Sequence, residues 1–396
     1  MRYEFDGFEL DTERLELRRD DARIALEPQV FDVLAYLVEQ HERVVPKDEL
    51  IERIWPEKYV SEAALHSRLM SARKAIGDDG QAQRLIRTVH GRGFRFVGDV
   101  VTTWAGPIPV ADRPPAFDQE VRFCRAADGA RIAFAVSGDG PPLVKAANWL
   151  THLEFDPGSP VWAHFWRELS ASFRLVRYDG RGSGLSDWDL PAYSFESWVD
   201  DLEAVVNELG LQRFSLLGIS QGGAVALAYA ARHPHRVSKL LLCGAYGRGR
   251  LHRGPDWVSR HNAMRTLIEQ GWGKEDEVFR EVFTLTMIPE GTEEQRRWLT
   301  DLQRVSASAA NAALFHETAG QINVEHLLSA IKIPTLVMHA RGDQRVGFEE
   351  GRRLASLIPG ARLVTLDSRN HLLLEQEPAW TRFLAEARMF LNSPAS

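Results

Sequence analysis

The chain has 396 residues, of which 44% are hydrophobic and 26% are charged, and its formal net charge is −7. These values are typical of a folded globular protein of one to three domains, and they exclude a disordered or fibrous chain. Two cysteines, Cys124 and Cys243, are too few for a disulfide framework and favour a reducing compartment. Without an apolar run of about 18 residues or a secretory signal, the sequence predicts a cytoplasmic protein with no membrane contact.

The first hundred residues predict short strands followed by three helices. Residues 2–27 contain four strand-like runs separated by turn residues such as Asp6-Gly7. The helical patterns begin near Pro28, at Pro46 and after Ser61, which are residue types that favour helix starts. This order predicts a small α+β domain over residues 1–98.

The third helical pattern carries one apolar stripe, formed by Leu65, Leu69, Ala72 and Ile76, while polar and basic residues occupy the rest. A small helix with such an outer face suits the DNA major groove. Two strand patterns follow, joined by the glycine-bearing turn His90-Gly91-Arg92-Gly93. Residues 64–98 hold seven Lys or Arg against two Asp, although residues 1–98 are net negative. Phosphate contacts need only such a local patch.

This segment resembles the winged-helix DNA-binding domain of OmpR/PhoB-type response regulators and of CadC-like regulators. The most specific match runs from Ile86 to Phe96 and is similar to the wing of that family, which usually has Arg where this chain has His90. The resemblance implies a bacterial regulator that binds double-stranded DNA through the third helix and the wing. The predicted DNA-contacting residues are Arg68, Ser71, Arg73, Lys74, Thr88, His90, Arg92 and Arg95.

A second domain is predicted beyond a linker. Residues 99–118 are rich in proline and lack periodicity, which is typical of an inter-domain linker. Over residues 119–396, strand patterns alternate with helical patterns and predict an α/β doubly wound, mostly parallel sheet. Residues from about 245 to 325 break the alternation and are helical and aromatic, so we expect a cap over the carboxyl ends of the strands.

A G-x-S-x-G motif separates a predicted strand from a predicted helix, with Ser220 at its centre. Such a sharp turn exposes the serine side chain, and the flanking glycines relieve crowding. A serine nucleophile needs a base and an orienting acid. Asp343 and His371 each follow a predicted strand, where a doubly wound sheet places its active site, so we assign them as acid and base. Asp367 is the competing acid.

The oxyanion formed in such a reaction would be bound by backbone N–H groups. The Gln221 N–H lies at the predicted helix start, and Trp149 lies in the loop after the third strand of the domain. The domain resembles the α/β-hydrolase superfamily over roughly residues 120–393, including the Asp179-x-Arg181-Gly182-x-Gly184-x-Ser186 loop. Serine rather than aspartate at position 220 favours acyl transfer over epoxide or haloalkane hydrolysis.

The two resemblances together predict a one-component transcription regulator. Its hydrolase domain would sense a small apolar ester, lactone or related acyl ligand, either by binding it alone or by binding and hydrolysing it. The alternative is a serine esterase or lactonase whose winged helix only docks or dimerises; a third hypothesis is a receptor with an inactive triad. We expect a homodimer on DNA and neither a metal nor an organic cofactor.

Overall fold

The computed structural model describes residues 2–12, 16–19, 22–41, 43–55, 62–89, 91–103, 119–190, 193–272 and 278–394. The chain divides into two compact units, residues 1–112 and 113–396, and each contains its own hydrophobic core. No helix within the described ranges has the length and apolar content that a membrane crossing requires.

The N-terminal unit is built on a five-stranded antiparallel sheet and a separate hairpin. Its strands are β1 (Arg2–Phe5), β2 (Phe8–Asp11), β3 (Glu16–Arg19), β4 (Ala22–Ile24), β5 (Ile86–Val89), β6 (Gly93–Phe96) and β7 (Val101–Thr103). The sheet order is β4-β3-β2-β1-β7, and β5 pairs with β6 to form the hairpin. Strand β7 lies inside the segment that the sequence predicts as linker, and it pairs with β1 so that Arg2 lies opposite Thr103. A three-residue strand is too short to show a hydrophobic periodicity, so β7 is identified only by its pairing with β1.

Three helices pack in this unit: α1 (Pro28–Glu39), α2 (Lys47–Ile54) and α3 (Glu62–Ala75). Pro28 is the first residue of α1, and Pro46 caps α2, as the sequence predicts for both helix starts. The four residues of the apolar stripe of α3 are at most 1% exposed. Phe94 and Phe96 of the hairpin join the same core. The predicted order of strands, three helices and hairpin is therefore the observed one.

The turn between α3 and β5 is organised by Asp78. Its buried carboxylate accepts the backbone N–H groups of Arg84, Leu85 and Ile86 at 2.8, 3.0 and 2.9 Å. Burial by itself would raise the pKa of Asp78, but these hydrogen bonds outweigh it and lower the pKa below its usual value. Asp78 therefore stabilises the connection from α3 to the hairpin as an ionised group.

We expect Asp78→Ala to lower the unfolding free energy of the N-terminal unit by about 3 kcal/mol, because it leaves buried N–H groups unsatisfied. A native pKa below the unfolded value gives stability above the unfolded pKa of about 4, and this stability is lost as the pH falls through the native pKa. The difference between wild type and variant should thus shrink in acid. Calorimetric unfolding measures it, with the exposed Glu52→Ala on α2 as control; equal effects of both substitutions would contradict the prediction.

The C-terminal unit contains an eight-stranded, mostly parallel sheet. Its strands are β8 (Glu120–Arg125), β9 (Arg131–Ser137), β10 (Pro142–Lys145), β11 (Arg174–Tyr178), β12 (Phe214–Ile219), β13 (Val237–Cys243), β14 (Thr335–Ala340) and β15 (Arg362–Leu366). The order is β8-β9-β11-β10-β12-β13-β14-β15, with antiparallel pairing only at β8 and β9. Successive residues of the central strands face opposite layers: Leu216 packs in one hydrophobic cluster and Leu217 in the other.

Helices cover both faces of this sheet. They are α4 (Ala163–Ser170), α5 (Phe195–Glu208), α6 (Gln221–Arg232), α7 (Pro255–Gly271), α8 (Val278–Met287), α9 (Glu293–Ser306), α10 (Ala309–Gln321), α11 (Glu325–Leu328), α12 (Phe348–Leu357) and α13 (Pro378–Asn392). Side chains of α5, α6 and α12 share one cluster with the sheet, and those of α4 and α13 share the other. The unit has the α/β doubly wound architecture that the strand and helix patterns predict.

Helices α7 to α10 form the cap, between β13 and β14, close to the predicted range. Three cap aromatics, Trp272, Phe283 and Phe315, contact Trp149 in the loop after β10, with ring centroids 5.8, 5.3 and 4.4 Å away. The Met287 carbonyl at the end of α8 accepts the His371 backbone N–H at 2.8 Å. The cap therefore lies against loops that follow the carboxyl ends of the strands.

The glycine-rich loop after β11 is held in place by buried hydrogen bonds and ion pairs of Asp179 and Arg181. Asp179 Oδ2 accepts the N–H groups of Leu153 and Leu185 at 3.1 and 2.9 Å. Arg181 is buried and pairs with Asp201 at 2.7 Å and Asp128 at 2.6 Å. The Asp179 bonds join the loops after β10 and β11, and the Arg181 pairs join the second of these loops to α5 and to the turn between β8 and β9.

Candidate functional site

Ser220 lies at a sharp turn between β12 and α6. Its backbone has φ +54° and ψ −129°, a conformation that is rare outside glycine and is found at functional sites. A Cβ at Gly218 would come within 2.6 Å of the Gly223 Cα, and a Cβ at Gly223 within 2.3 Å of the Ala245 Cβ. Glycine is thus required on both sides, and the turn holds the Ser220 side chain away from its neighbouring backbone.

His371 and Asp343 form a buried hydrogen-bonded pair. The distance from His371 Nδ1 to Asp343 Oδ2 is 2.6 Å, and neither side chain has exposed surface. Asp343 Oδ1 accepts the backbone N–H groups of Arg345 and Val346 at 2.8 and 2.9 Å. Burial opposes ionisation of Asp343, but the charge and hydrogen bond of His371 outweigh it, so the pKa of Asp343 is lowered. The competing acid, Asp367, is exposed.

The second nitrogen of His371 differs from the first, which bonds Asp343. Its Nε2 is buried and has no hydrogen-bond partner within the described residues. The ring lies beside Gly244, where a Cβ would come within 3.1 Å of His371 Cε1. Gly244 follows Cys243, whose carbonyl accepts the Ser220 N–H at 3.0 Å. Ser220, His371 and Asp343 therefore lie at the same edge of the sheet.

The two predicted oxyanion donors also lie at this edge. Gln221 is the first residue of α6, and a Cβ at Gly222 would come within 2.7 Å of the Ala147 carbonyl oxygen, which shows that the loop bearing Trp149 touches the elbow. Neither the Gln221 N–H nor the Trp149 N–H donates to a protein acceptor in the described part of the chain. Both residues line one cavity with Ser220.

This cavity has about 410 Å³ of space between atoms, part of which is open to solvent. Trp149, Met287, Phe315 and Val346 form an apolar part of its lining. The lining also includes three arginines: Arg250, Arg253 and Arg345. The sequence predicts an apolar pocket, whereas the observed cavity has an apolar part and a cationic part.

The sequence alone does not point to these arginines, because they come from two distant segments. Arg250 and Arg253 follow β13, and Arg345 follows β14. One signal could have found them, since both segments begin at the carboxyl ends of neighbouring parallel strands. That basic residues at those two positions lie close together can be inferred only when the strand order is known.

The predicted DNA-contacting residues differ in how exposed their side chains are. Ser71 and Lys74 on α3 and Arg92 and Arg95 of the hairpin are exposed. Arg68 and Thr88 are half-buried, and Arg68 pairs with Glu27 at 2.9 Å. His90 lies outside the described residues. The exposed residues remain the stronger candidates for phosphate contact.

Arg73 differs from the expectation of a DNA contact, because it is only 5% exposed. Its guanidinium donates to the Ile86 carbonyl at 3.1 and 2.9 Å and to the Thr88 hydroxyl at 3.0 Å. Burial lowers the pKa of Arg73, although the charges of Asp78 and Asp79 oppose that change. Its flank of α3 faces the hairpin, so Arg73 links the two elements instead of projecting outward.

The C-terminal architecture, with a serine elbow after the fifth strand and an acid and a histidine after later strands, defines an α/β-hydrolase domain. Comparison with protein families agrees: the α/β hydrolase fold matches residues 155–378. A second match, to the C-terminal domain of transcriptional regulatory proteins, covers residues 21–96. The chain belongs to the α/β hydrolase family and carries an OmpR/PhoB-type winged-helix domain before the hydrolase domain.

Individual relatives match the hydrolase domain over most of their own length. The 2-hydroxymuconate semialdehyde hydrolase of Pseudomonas sp. strain CF600 is 31% identical over 284 residues, which are 66% of this chain and 88% of that protein. An AB hydrolase superfamily protein of Bacillus subtilis is 28% identical, over 59% of this chain and 86% of its own. The crystal structure of an esterase from Rhodococcus sp. ECU1013 superposes with a TM-score of 0.56 at 28% identity, covering 69% of this chain and 98% of that one.

Proposed function

We propose that this protein is a one-component transcription regulator whose hydrolase domain binds and hydrolyses a small acyl ligand, and that the bound ligand changes its affinity for DNA. The observation that carries the enzymatic part is the buried His371–Asp343 pair, with its unpartnered Nε2 at the edge where the Ser220 elbow lies. The regulatory part is supported by the winged-helix domain in the same chain. The described residues form two compact units, and neither contains a further domain that could receive a signal in place of the hydrolase domain.

In the proposed reaction, the Ser220 hydroxyl attacks the carbonyl carbon of an ester or lactone while His371 Nε2 takes its proton. Asp343 holds the imidazole by its Nδ1–H and stabilises the imidazolium that forms. The N–H groups of Gln221 and Trp149 bind the oxyanion, and loss of one such donor costs about 10²–10³ in rate. His371 then protonates the leaving alcohol, and a water activated by His371 releases the acid from Ser220. The hydrolase and esterase names of the relatives support this class of reaction.

A second candidate is a serine esterase or lactonase whose winged helix serves only docking or dimerisation. Its support is that two hydrolase relatives align over 86–88% of their own length while they cover only 59–66% of this chain. The two candidates differ in one property, which is whether the acyl ligand changes DNA binding.

We propose that the exposed cations of the N-terminal unit contact phosphates, in a homodimer on double-stranded DNA. We expect Arg92→Ala to weaken binding to all DNA sequences about equally and to reduce the salt dependence by about one counterion. The control is Arg23→Ala on β4, an edge strand of the five-stranded sheet, with a side chain 63% exposed. Fluorescence anisotropy at several salt concentrations measures both; a larger loss for Arg23→Ala would contradict the assignment of the hairpin.

The experiment that tests the proposed function measures DNA retardation with and without ligand. The DNA is the region upstream of this protein's own coding sequence, at low salt, and the probe ligand is p-nitrophenyl butyrate with Ser220→Ala protein, which retains the ester. A ligand-dependent change in affinity is expected. Ester turnover by the wild type with DNA affinity unaffected by ligand would establish the esterase alternative, and failure to retard any DNA would end the regulator hypothesis.

A further inference from the structure

Three arginine side chains converge on the cavity that contains Ser220. Arg250 lies in a short 3₁₀ turn after β13, Arg253 follows that turn, and Arg345 lies two residues after Asp343. The Arg345 backbone N–H donates to Asp343 Oδ1 at 2.8 Å, so this arginine is positioned by the acid of the proposed triad. The cluster Arg250/Arg253/Arg345 is therefore part of the site and not of its outer rim.

The protein supplies little negative charge to this cluster. The Arg253 side chain is 2% exposed, and Glu350 lies 3.9 Å away but also pairs with Arg248 at 3.0 Å. In the parts of the chain that the structure describes, no carboxylate lies within 4.0 Å of the Arg250 or Arg345 guanidinium. Asp343 is already hydrogen-bonded to His371. Within the described residues, three arginines thus line the cavity, and only Arg253 has a carboxylate nearby, which it shares with Arg248.

Aromatic rings and two carbonyls account for most of the remaining contacts, and one of these carbonyls is that of Arg248, which accepts the Arg253 Nε–H at 2.8 Å. The Arg345 guanidinium lies 4.1 Å from the Phe283 ring centroid, and that of Arg253 lies 4.4 Å from Tyr246. Arg250 Nη2 donates to the Arg345 carbonyl at 3.3 Å, while Arg253 Nη1 is buried without an acceptor in the described chain. Stacking on a ring leaves the N–H edge of a guanidinium open to a planar anion.

Confinement makes this arrangement costly in the absence of an anion. Burial and the charge of Arg253 lower the pKa of Arg250 to about 10, so it remains protonated at neutral pH. Buried charges without partners are unfavourable, and a bound anion would relieve both the desolvation and the mutual repulsion. The same groups would be unfavourable for a purely apolar ligand.

We propose that the acyl ligand of the Ser220 site carries a carboxylate, which the Arg250/Arg253/Arg345 cluster binds while its ester carbonyl meets Ser220. The inference rests on the proposed function for the carbonyl, but the anion preference is a separate property. A carboxylate is small and planar and matches the open edge of a guanidinium. The substrate class is therefore an acidic ester or lactone.

The test compares two ligands of matched length, monomethyl adipate and methyl hexanoate. Isothermal titration with full-length Ser220→Ala protein measures binding without turnover. We expect monomethyl adipate to bind about tenfold tighter or better, as one charge-assisted contact allows. Arg250→Gln and Arg345→Gln should each remove most of this preference, because they weaken binding of the carboxylate and relieve the burial of charge that opposes methyl hexanoate. The matched control is Arg265→Gln on α7, which removes an arginine whose side chain is 48% exposed and should leave the preference intact.

The outcomes separate this inference from the proposed function. Acid-selective binding without turnover by the wild type would support the inference and refute hydrolysis. Turnover of both esters at equal kcat/KM, with no effect of the arginine substitutions, would support hydrolysis and overturn the inference, as would failure of monomethyl adipate to bind. Tighter binding of the matched phosphate monoester than of monomethyl adipate would replace carboxylate by phosphate and also overturn it. Arg345→Lys keeps the charge and should retain part of the preference, which guards against a variant that fails to fold.

Discussion

Substitution of Ser220 by alanine should lower kcat for p-nitrophenyl butyrate by at least about 10³-fold, because it removes the nucleophile and leaves only binding and oxyanion stabilisation. The backbone at this position has φ +54° with serine and would be strained equally with alanine, so the unfolding temperature should change little. DNA binding without ligand should be unaffected. Steady-state hydrolysis and thermal melting of the full chain measure these properties.

A serine on the strand that precedes Ser220 provides the matched control. Ser215 lies in β12, and its hydroxyl bonds the Ser238 hydroxyl at 3.1 Å, outside the cavity. Ser215→Ala should retain activity within about a factor of two, as most substitutions away from a site do. A phosphonofluoridate probe should label wild-type protein at Ser220 and leave Ser220→Ala unlabelled. Activity of Ser220→Ala above a tenth of the wild-type value would show that the nucleophile lies elsewhere.

Substitution of Asp343 by asparagine should lower kcat by about 10³–10⁴-fold with little change in KM. The amide can present an N–H to His371 Nδ1, which favours the wrong tautomer and places the ring proton on Nε2, where the base must be free. The two backbone N–H groups on Oδ1 can still be satisfied by an amide oxygen, so the fold should persist. The expected loss is therefore one of catalysis and not of structure.

The pH dependence of this loss follows from the lowered pKa of Asp343. A carboxylate with a native pKa below its ordinary value of about 4 stays ionised throughout the neutral range, and its contribution disappears only as the pH falls through the native pKa. The rate advantage of the wild type over Asp343→Asn should hence persist through the neutral range, because Asp343 stays ionised there. Asp367→Asn, which changes the exposed competing acid, should leave the rate unaltered; a loss equal to that of Asp343→Asn would transfer the role to Asp367.

Local sequence patterns predicted most of the architecture. The apolar spacing in α3, the proline at the start of α1 and the alternation of strands with helices each depend on residues within one or two turns of each other. The glycines around Ser220 are equally local, since the clash that they avoid arises within the strand-to-helix turn and its immediate neighbours. For the same reason Asp343 and His371 could be placed after strands, because a strand pattern and the residue that ends it are adjacent in the chain.

Other features were decided by tertiary structure alone. Strand β7 exists because Arg2 and Thr103 lie opposite one another, and Arg73 is buried because the hairpin covers its flank of α3. His371 bonds Asp343 and not Asp367, which is closer in the chain, because the His371 ring faces the loop after β14. The arginine cluster needs the pairing of β13 with β14 to bring residues 250, 253 and 345 together. The sequence by itself determined the elements and the elbow, which depend on neighbours along the chain; the charge of the cavity depends on neighbours across the sheet, and only the folded chain brings them together.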